Sequence, residues 1–271
     1  MFLRKFAFIA TGLLASTVAA IADPQPWQMN FQPAVTPVME RIEDFHRLLL
    51  YIIVAVSLFV LALLAWIVIR YNKRANPVPS KTAHNTVIEV VWTIVPVIIL
   101  VIIAIPSFKL LYYEAAIPTP DLKIKAIGKQ WFWSYEYPAA NFTYDSLGLS
   151  DADNAKAGKP RLLGVDNAIY VPVNKVVEIE TTGADVIHSW AVPAFGVKMD
   201  AVPGRLNHTW FQATKEGIYY GECSELCGAR HAFMPIEVHV VSEAQYDAWL
   251  AGAKKKFAAI EPQTHVAQLA K

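Results

Sequence analysis

Two long apolar stretches dominate the first half of the chain. Residues 48–69 carry no charge at all, and a helix rising ~1.5 Å per residue over that length crosses the ~30 Å hydrocarbon core of a bilayer. Residues 87–111 form a second stretch, interrupted only by Glu89 and Lys109 near its ends and holding Pro96 and Pro106, which a membrane helix tolerates with a kink. The pattern therefore predicts a transmembrane helical hairpin. Its connecting loop carries Arg70, Lys73, Arg74 and Lys81 without an acid, whereas residues 23–47 mix Asp23, Glu40, Glu43 and Asp44 with Arg41 and Arg47. By the positive-inside rule the loop lies in the cytoplasm and both flanks lie outside.

Beyond residue 114 the period changes to two. Leu122, Ile124 and Ala126 alternate with polar neighbours, as do Val177 and Ile179, and Ile236, Val238 and Val240. Trp131, Trp133, Tyr135 and Tyr137 share one parity. Short strands between Pro, Gly, Asn and Asp turn signals predict a β-sandwich or Greek-key barrel. Residues 145–160 read as a solvated loop. Ser242 and Gln245 make a capping-box pattern before Tyr246, Trp249 and Leu250, which predicts one short amphipathic helix.

The N-terminus opens with Arg4 and Lys5, continues in an apolar run from Phe6 and closes on Ala20-Ile21-Ala22. This is the pattern of a cleaved secretory signal over residues 1–22. The competing reading, an uncleaved first membrane helix, is weakened by Gly12, Ser16, Thr17 and several alanines. The predicted organisation is a signal peptide (1–22), an N-terminal segment with the hairpin (23–114, helices near 48–69 and 87–111), an outer β domain with a C-terminal helix (115–258) and a tail (259–271). The class is α+β, anchored in membrane lipid.

Composition agrees. Of 271 residues, 55% are hydrophobic and 17% charged, and the mean hydropathy is +0.32, which excludes a disordered chain and an ordinary soluble domain. Lys and Arg number 24 against 23 Asp and Glu, so nothing points to nucleic acid as a partner. Two cysteines cannot make a disulfide framework for so long a chain.

Those two cysteines carry the chemistry. Cys223, Cys227, His231 and Met234 follow one another at intervals of four, four and three, between two predicted strands. Thiols alone in an exported protein suggest a disulfide, but an imidazole and a thioether beside them complete a soft donor set that suits copper better than magnesium or calcium. A mononuclear blue-copper site uses one Cys, two His and an axial Met. The second thiol is surplus to that design and fits two thiolate-bridged coppers, which require a second histidine. His188, ending a β-like run beside a Pro-containing turn, is the preferred donor among the seven histidines; His208 is ambiguous, and His239 has the parity of a solvent-facing residue.

The segment 221–234, the run His188-Ser-Trp-Ala-Val-Pro193, the aromatic run Gln130-Trp-Phe-Trp-Ser-Tyr-Glu-Tyr137 and the hairpin together resemble subunit II of the haem-copper cytochrome c oxidases, over roughly residues 32–248. The resemblance implies a cupredoxin-like Greek-key barrel with a binuclear CuA centre. Its ligands would be His188, Cys223, Cys227, His231, Met234 and the backbone carbonyl of Glu225. It implies that the Glu225 side chain holds a magnesium ion shared with subunit I, and that Trp131 receives the electron from cytochrome c. Glu136, Asp145, Asp166 and Asp185 would form the cytochrome c docking face, and Glu89 the mouth of a proton pathway into subunit I. On its face value each of these has a plainer role: Trp131 as strand packing, the four acids as solvated surface, Glu89 as an interfacial carboxylate.

The expected protein is the subunit of a bacterial inner-membrane, proton-translocating oxidase that receives electrons, with subunits I and III as partners. Two rivals are a quinol-oxidase subunit II, which lacks the copper ligands, and a membrane-tethered copper carrier. A fused haem variant is excluded because no Cys-x-x-Cys-His occurs.

Overall fold

A computed structural model describes residues 20–22, 25 and 27–257. The expected signal peptide lies mostly, and the expected tail wholly, outside the described residues.

Helix α1 spans Pro37–Arg70 and α2 spans Thr86–Ala115. Helix α1 outruns the uncharged stretch 48–69 because its capping residue lies well before it, whereas α2 begins one residue ahead of the stretch 87–111. The Thr36 side chain accepts from Met39 N at 3.0 Å ahead of Pro37, whose missing N–H costs nothing at that position, and Asn85 accepts from Ile88 N at 3.2 Å. Neither helix buries its most apolar stretch against the rest of the chain, so those side chains are left for lipid. The first turn of α1 does meet the β domain. Val38 and Met39 are buried, and Thr36 Oγ1 donates to Phe195 O at 2.7 Å.

A three-residue strand, β1 (Ala20–Ala22), runs parallel to a later strand, β10. The strands that follow are β2 (Leu122–Lys129), β3 (Phe132–Tyr137), β4 (Phe142–Ser146), β5 (Ile169–Pro172), β6 (Val176–Gly183), β7 (His188–Val192), β8 (Val197–Ala201), β9 (Asn207–Gln212), β10 (Gly217–Cys223) and β11 (Pro235–Val241). They form two sheets, ordered β4-β3-β2-β6-β9 and β5-β11-β10-β7-β8. The parallel pairs β2 with β6 and β11 with β5 are crossover connections, and they give the expected two-layered, half-open Greek-key barrel.

The period-two residues face inward. Ile124, Ala126, Trp133, Tyr135, Tyr137, Val177, Ile179, Ile236, Val238 and Val240 are all buried in one core. Burying a side chain of this size contributes roughly 1.5–3 kcal/mol, so the alternation fixes which face of each strand points in. Helix α4 (Glu243–Phe257) closes the domain by laying Tyr246 and Trp249 on that core.

The segment 145–160 departs from expectation. It contains α3 (Asp151–Ala157), started by Ser150 accepting from Asp153 N and stopped by Gly158 in the left-handed region at φ 64°. Cap, alanines and stop outweigh the Asp and Gly content that reads as a loop.

Candidate metal centre

His188 opens β7 and Cys223 closes β10, and the antiparallel pairing of Cys223 with Trp190 sets the two side by side. The loop from Ser224 to Met234 is pinned at both ends: Ser224 N donates to Ser189 O at 3.0 Å, and Cys223 N to Met234 O at 3.0 Å. Two glycines permit the close approach. A Cβ on Gly221 would stand 2.0 Å from Ala191 O, and one on Gly128 would stand 2.6 Å from the His188 ring.

This frame gathers the donors. Cys223 Sγ lies 3.9 Å from Cys227 Sγ, 3.9 Å from His188 Nδ1 and 3.4 Å from Glu225 O, while Cys227 Sγ lies 3.6 Å from His231 Nδ1. Both thiols are free and buried, and their separation is far beyond the ~2.05 Å of a disulfide. Met234 is buried in the same core cluster. One ligand atom from each of His188, Cys223 and Cys227 falls within 4.8 Å of the other two, the spacing of a metal-holding triad. The Glu225 carbonyl and the His231 imidazole lie against it.

Burial opposes ionisation of Cys223, but contacts with His188, the backbone at Ser189 and Glu225, and His231 outweigh it and lower the thiol's pKa. Cys227 moves the other way, raised by burial and by the neighbouring charge on Cys223. Both thiols would hold a soft cation as thiolates, whose mutual repulsion the cation's charge would offset.

The imidazole of His188 is held from behind. Burial pushes its pKa down, and the hydrogen bonds to Cys223 and Asp185 more than reverse this. Asp185 Oδ1 lies 2.8 Å from His188 Nε2 and accepts from Val186 N at 2.7 Å, while Asp185 Oδ2 accepts from Gln130 N at 2.7 Å. Those bonds overcome partial burial and lower the carboxyl's pKa. With Nε2–H donated to Asp185, the lone pair of Nδ1 is left facing the sulfur.

The remaining sequence-predicted residues lie at varied distances from this centre. Trp131 Nε1 and Gln130 Nε2 donate to Cys227 O at 3.3 and 2.8 Å. The Glu225 side chain belongs to an exposed residue. Glu136 and Asp145 lie on the outer face of the five-stranded sheet, each 3.8 Å from a lysine, Lys125 and Lys129. Asp166 accepts from Leu147 N at 2.7 Å. Glu89 sits in the first turn of α2, at the end opposite the β domain. Sequence reasoning missed Gln130 as a support for the cysteine loop and Asp185 as the partner of His188. The only signal for the latter was an acid three positions before the histidine.

Residues 122–241 match the family profile "Cytochrome C oxidase subunit II, periplasmic domain", and residues 24–110 match "Cytochrome C oxidase subunit II, transmembrane domain". The chain is 50% identical over 257 residues to the probable cytochrome c oxidase subunit 2 of Rickettsia bellii, covering 94% of this chain and 95% of that one. It is 46% identical to cytochrome c oxidase subunit 2 of Cereibacter sphaeroides, covering 90% and 89%. Among solved structures, the periplasmic domain of subunit II of the Bradyrhizobium japonicum cytochrome oxidase is similar at 57% identity and a TM-score of 0.49, covering 52% of this chain and 99% of that one.

Proposed function

The chain belongs to the cytochrome c oxidase subunit II family, and from that premise we propose that it is the subunit through which electrons from ferrocytochrome c reach the oxidase. One observation carries the proposal: two buried thiols, two imidazoles and a peptide carbonyl meet at one end of a rigid barrel, with neighbouring donors 3.4–3.9 Å apart. That donor set fits copper. His188, Cys223, Cys227, His231, Met234 and the Glu225 carbonyl would hold a binuclear CuA centre, and the exposed Glu225 side chain a magnesium ion shared with subunit I. When bound, the copper pair supplies one-electron transfer from cytochrome c to the haem of subunit I, where oxygen is reduced to water with proton translocation.

The chain's own residues set the conditions for that transfer. Asp185 fixes the tautomer and angle of His188, and Gln130 and Trp131 fix the peptide of Cys227. Strand β7 and strand β10 fix the two ends of the loop. A site held from so many sides changes little in geometry when its charge changes, which suits electron transfer rather than substrate binding. Trp131 would be the residue that receives the electron, and Glu136, Asp145, Asp166 and Asp185 would steer cytochrome c. Glu89, at the other end of α2, would open a proton pathway into subunit I. The loop between the helices would face the cytoplasm and the β domain the periplasm of a bacterial inner membrane, with subunits I and III as neighbours.

Metal content and near-infrared absorption of the copper-loaded chain test this reading. Two coppers per chain and a mixed-valence band are expected, and Cys223→Ser, which removes one of the two thiolate bridges, should abolish the band. One copper per chain with an ordinary blue-copper spectrum would sink the proposal.

A further inference from the structure

A second cluster of metal-binding side chains lies on the other sheet. Strands β6 and β9 run antiparallel with Glu180 directly opposite His208 and Glu178 opposite Trp210. These residues point away from the core, whose inward positions on β6 are Val177, Ile179 and Thr181. His208 Nδ1 lies 2.9 Å from Glu178 Oε1 and 3.9 Å from Glu180 Oε1. One ligand atom from each of the three residues falls within 4.8 Å of the other two. We propose that Glu178, Glu180 and His208 form a binding site for a divalent transition metal of the zinc class, separate from the copper loop.

The donor chemistry selects the ion. One imidazole nitrogen with two carboxylate oxygens is a set that zinc takes readily, completing four-coordination with water. Magnesium and calcium favour all-oxygen shells, and the lack of sulfur disfavours cuprous copper. Charge selects it as well. Two carboxylates face a single ammonium, Lys123 Nζ, which sits 2.9 Å from Glu178 Oε2. The carboxylates outnumber that ammonium on a partly covered face: the side chain of Glu178 is 8% exposed, that of Glu180 19% and that of His208 41%. A divalent ion would offset that excess of negative charge.

Access and preorganisation are both present. The His208 side chain is 41% exposed, which opens a route from solvent, and hydrogen-bonded neighbouring strands hold all three backbones. Lys123, with a side chain 52% exposed, is the competitor. Its ammonium occupies one oxygen of Glu178 and can swing into water when a metal arrives. The site stands at the foot of the domain, since Trp210 beside it donates from Nε1 to Glu114 O at the end of α2.

The test uses the assembled, copper-loaded oxidase in detergent, dialysed against buffered free zinc, with zinc and copper counted per complex by mass spectrometry. His208→Ala should lose one zinc per complex, and Glu180→Gln should weaken that zinc by at least about tenfold, the lower bound for disturbing a metal's surroundings. Lys123→Gln should tighten it. His208→Ala leaves Glu178 paired with Lys123, so the fold is retained, and an unchanged copper count verifies this. Equal zinc in the wild type, His208→Ala and Glu180→Gln complexes overturns the proposal, whatever the copper loop is found to hold.

Discussion

The indole Nε1 of Trp131 donates to the carbonyl oxygen of Cys227 at 3.3 Å. A partly buried aromatic at the tip of the β2–β3 turn thus touches the peptide of a proposed copper ligand directly. Gln130 Nε2 donates to the same oxygen at 2.8 Å, so the carbonyl has two donors and can lose one. The proposed electron route and the support of the loop are therefore separable.

Trp131→Gln should leave the copper spectrum intact, because Gln130 still holds the Cys227 peptide. Reduction of the centre by ferrocytochrome c should slow by about tenfold or more, equivalent to ~1.4 kcal/mol on the barrier. Stopped-flow reduction measured beside thermal unfolding separates this from simple packing. Loss of a core Trp would cost about 3–5 kcal/mol and disturb the copper site with it, whereas an unchanged rate in a stable, copper-loaded variant removes Trp131 from the path.

How much could be read in advance depended on sequence distance. The helices were legible because hydrophobic runs are contiguous, and the strands because Ile124, Trp133, Val177 and Ile236 each begin or continue a local alternation. Four proposed side-chain ligands sit within one short segment and so declare themselves by spacing. His188 required a contact across 35 positions, and only the turn beside it and the family resemblance singled it out. The role of Asp185 depends on how the turn before β7 aims its carboxylate and on the backbone of Gln130, 55 residues away. Glu178 and His208 meet through strand register alone, which no local pattern encodes. Helix α3 was masked by its own capping residues, since Ser, Asp and Gly mark helix ends and loops alike.

Asp185→Asn should loosen the copper centre. The amide keeps the shape of the carboxylate but not its charge, so it orients His188 and supports its basicity less well. Retention of copper against a chelator should fall by about tenfold, and by up to about a hundredfold in Asp185→Ala, the range found when the partner of a metal-bound histidine is removed. Unchanged retention and an unchanged spectrum would leave Asp185 as a surface acid.

The four proposed docking acids should not contribute equally. Glu136 and Asp145 each stand beside a lysine, Asp166 holds a backbone N–H and Asp185 faces His188. Neutralising Glu136 and Asp145 together exposes Lys125 and Lys129 and turns that region positive, which repels a lysine-rich partner. The variant should associate with cytochrome c several-fold more slowly at low salt, with a flatter salt dependence. The difference should shrink at physiological salt, where exposed charges are screened beyond ~8 Å. Association rates across an ionic-strength series provide the check, and identical slopes for variant and wild type would exclude these two acids from docking.

Glu237 should govern the acid stability of the outer domain. Its side chain, on β11, is fully buried. Oε2 accepts from Lys159 Nζ and Val165 N, both at 2.9 Å, and Oε1 lies 2.6 Å from His239 Nε2. His239, expected to face solvent, is instead partly covered, and its ring lies 4.6 Å from that of Tyr170. Burial favours the protonated acid, but the contacts with His239, Lys159 and Val165 outweigh it and lower the pKa from its ordinary 4.5. A carboxylate whose folded value is depressed contributes stability that is fully present above the unfolded value and is lost as pH falls through the folded one. The domain should therefore weaken below about pH 4.5 as Glu237 takes up its proton. Glu237→Gln should remove this part of the acid limb, and Glu237→Ala should cost about 3 kcal/mol at neutral pH, the lower end for breaking a buried pair, because Lys159 retains a partial opening to water. Thermal unfolding of the full chain in detergent, followed by near-ultraviolet circular dichroism from about pH 7 down to about pH 3, spans that window. If Glu237→Gln lost stability on acidification as steeply as the wild type, the acid sensitivity would have to reside in another carboxylate.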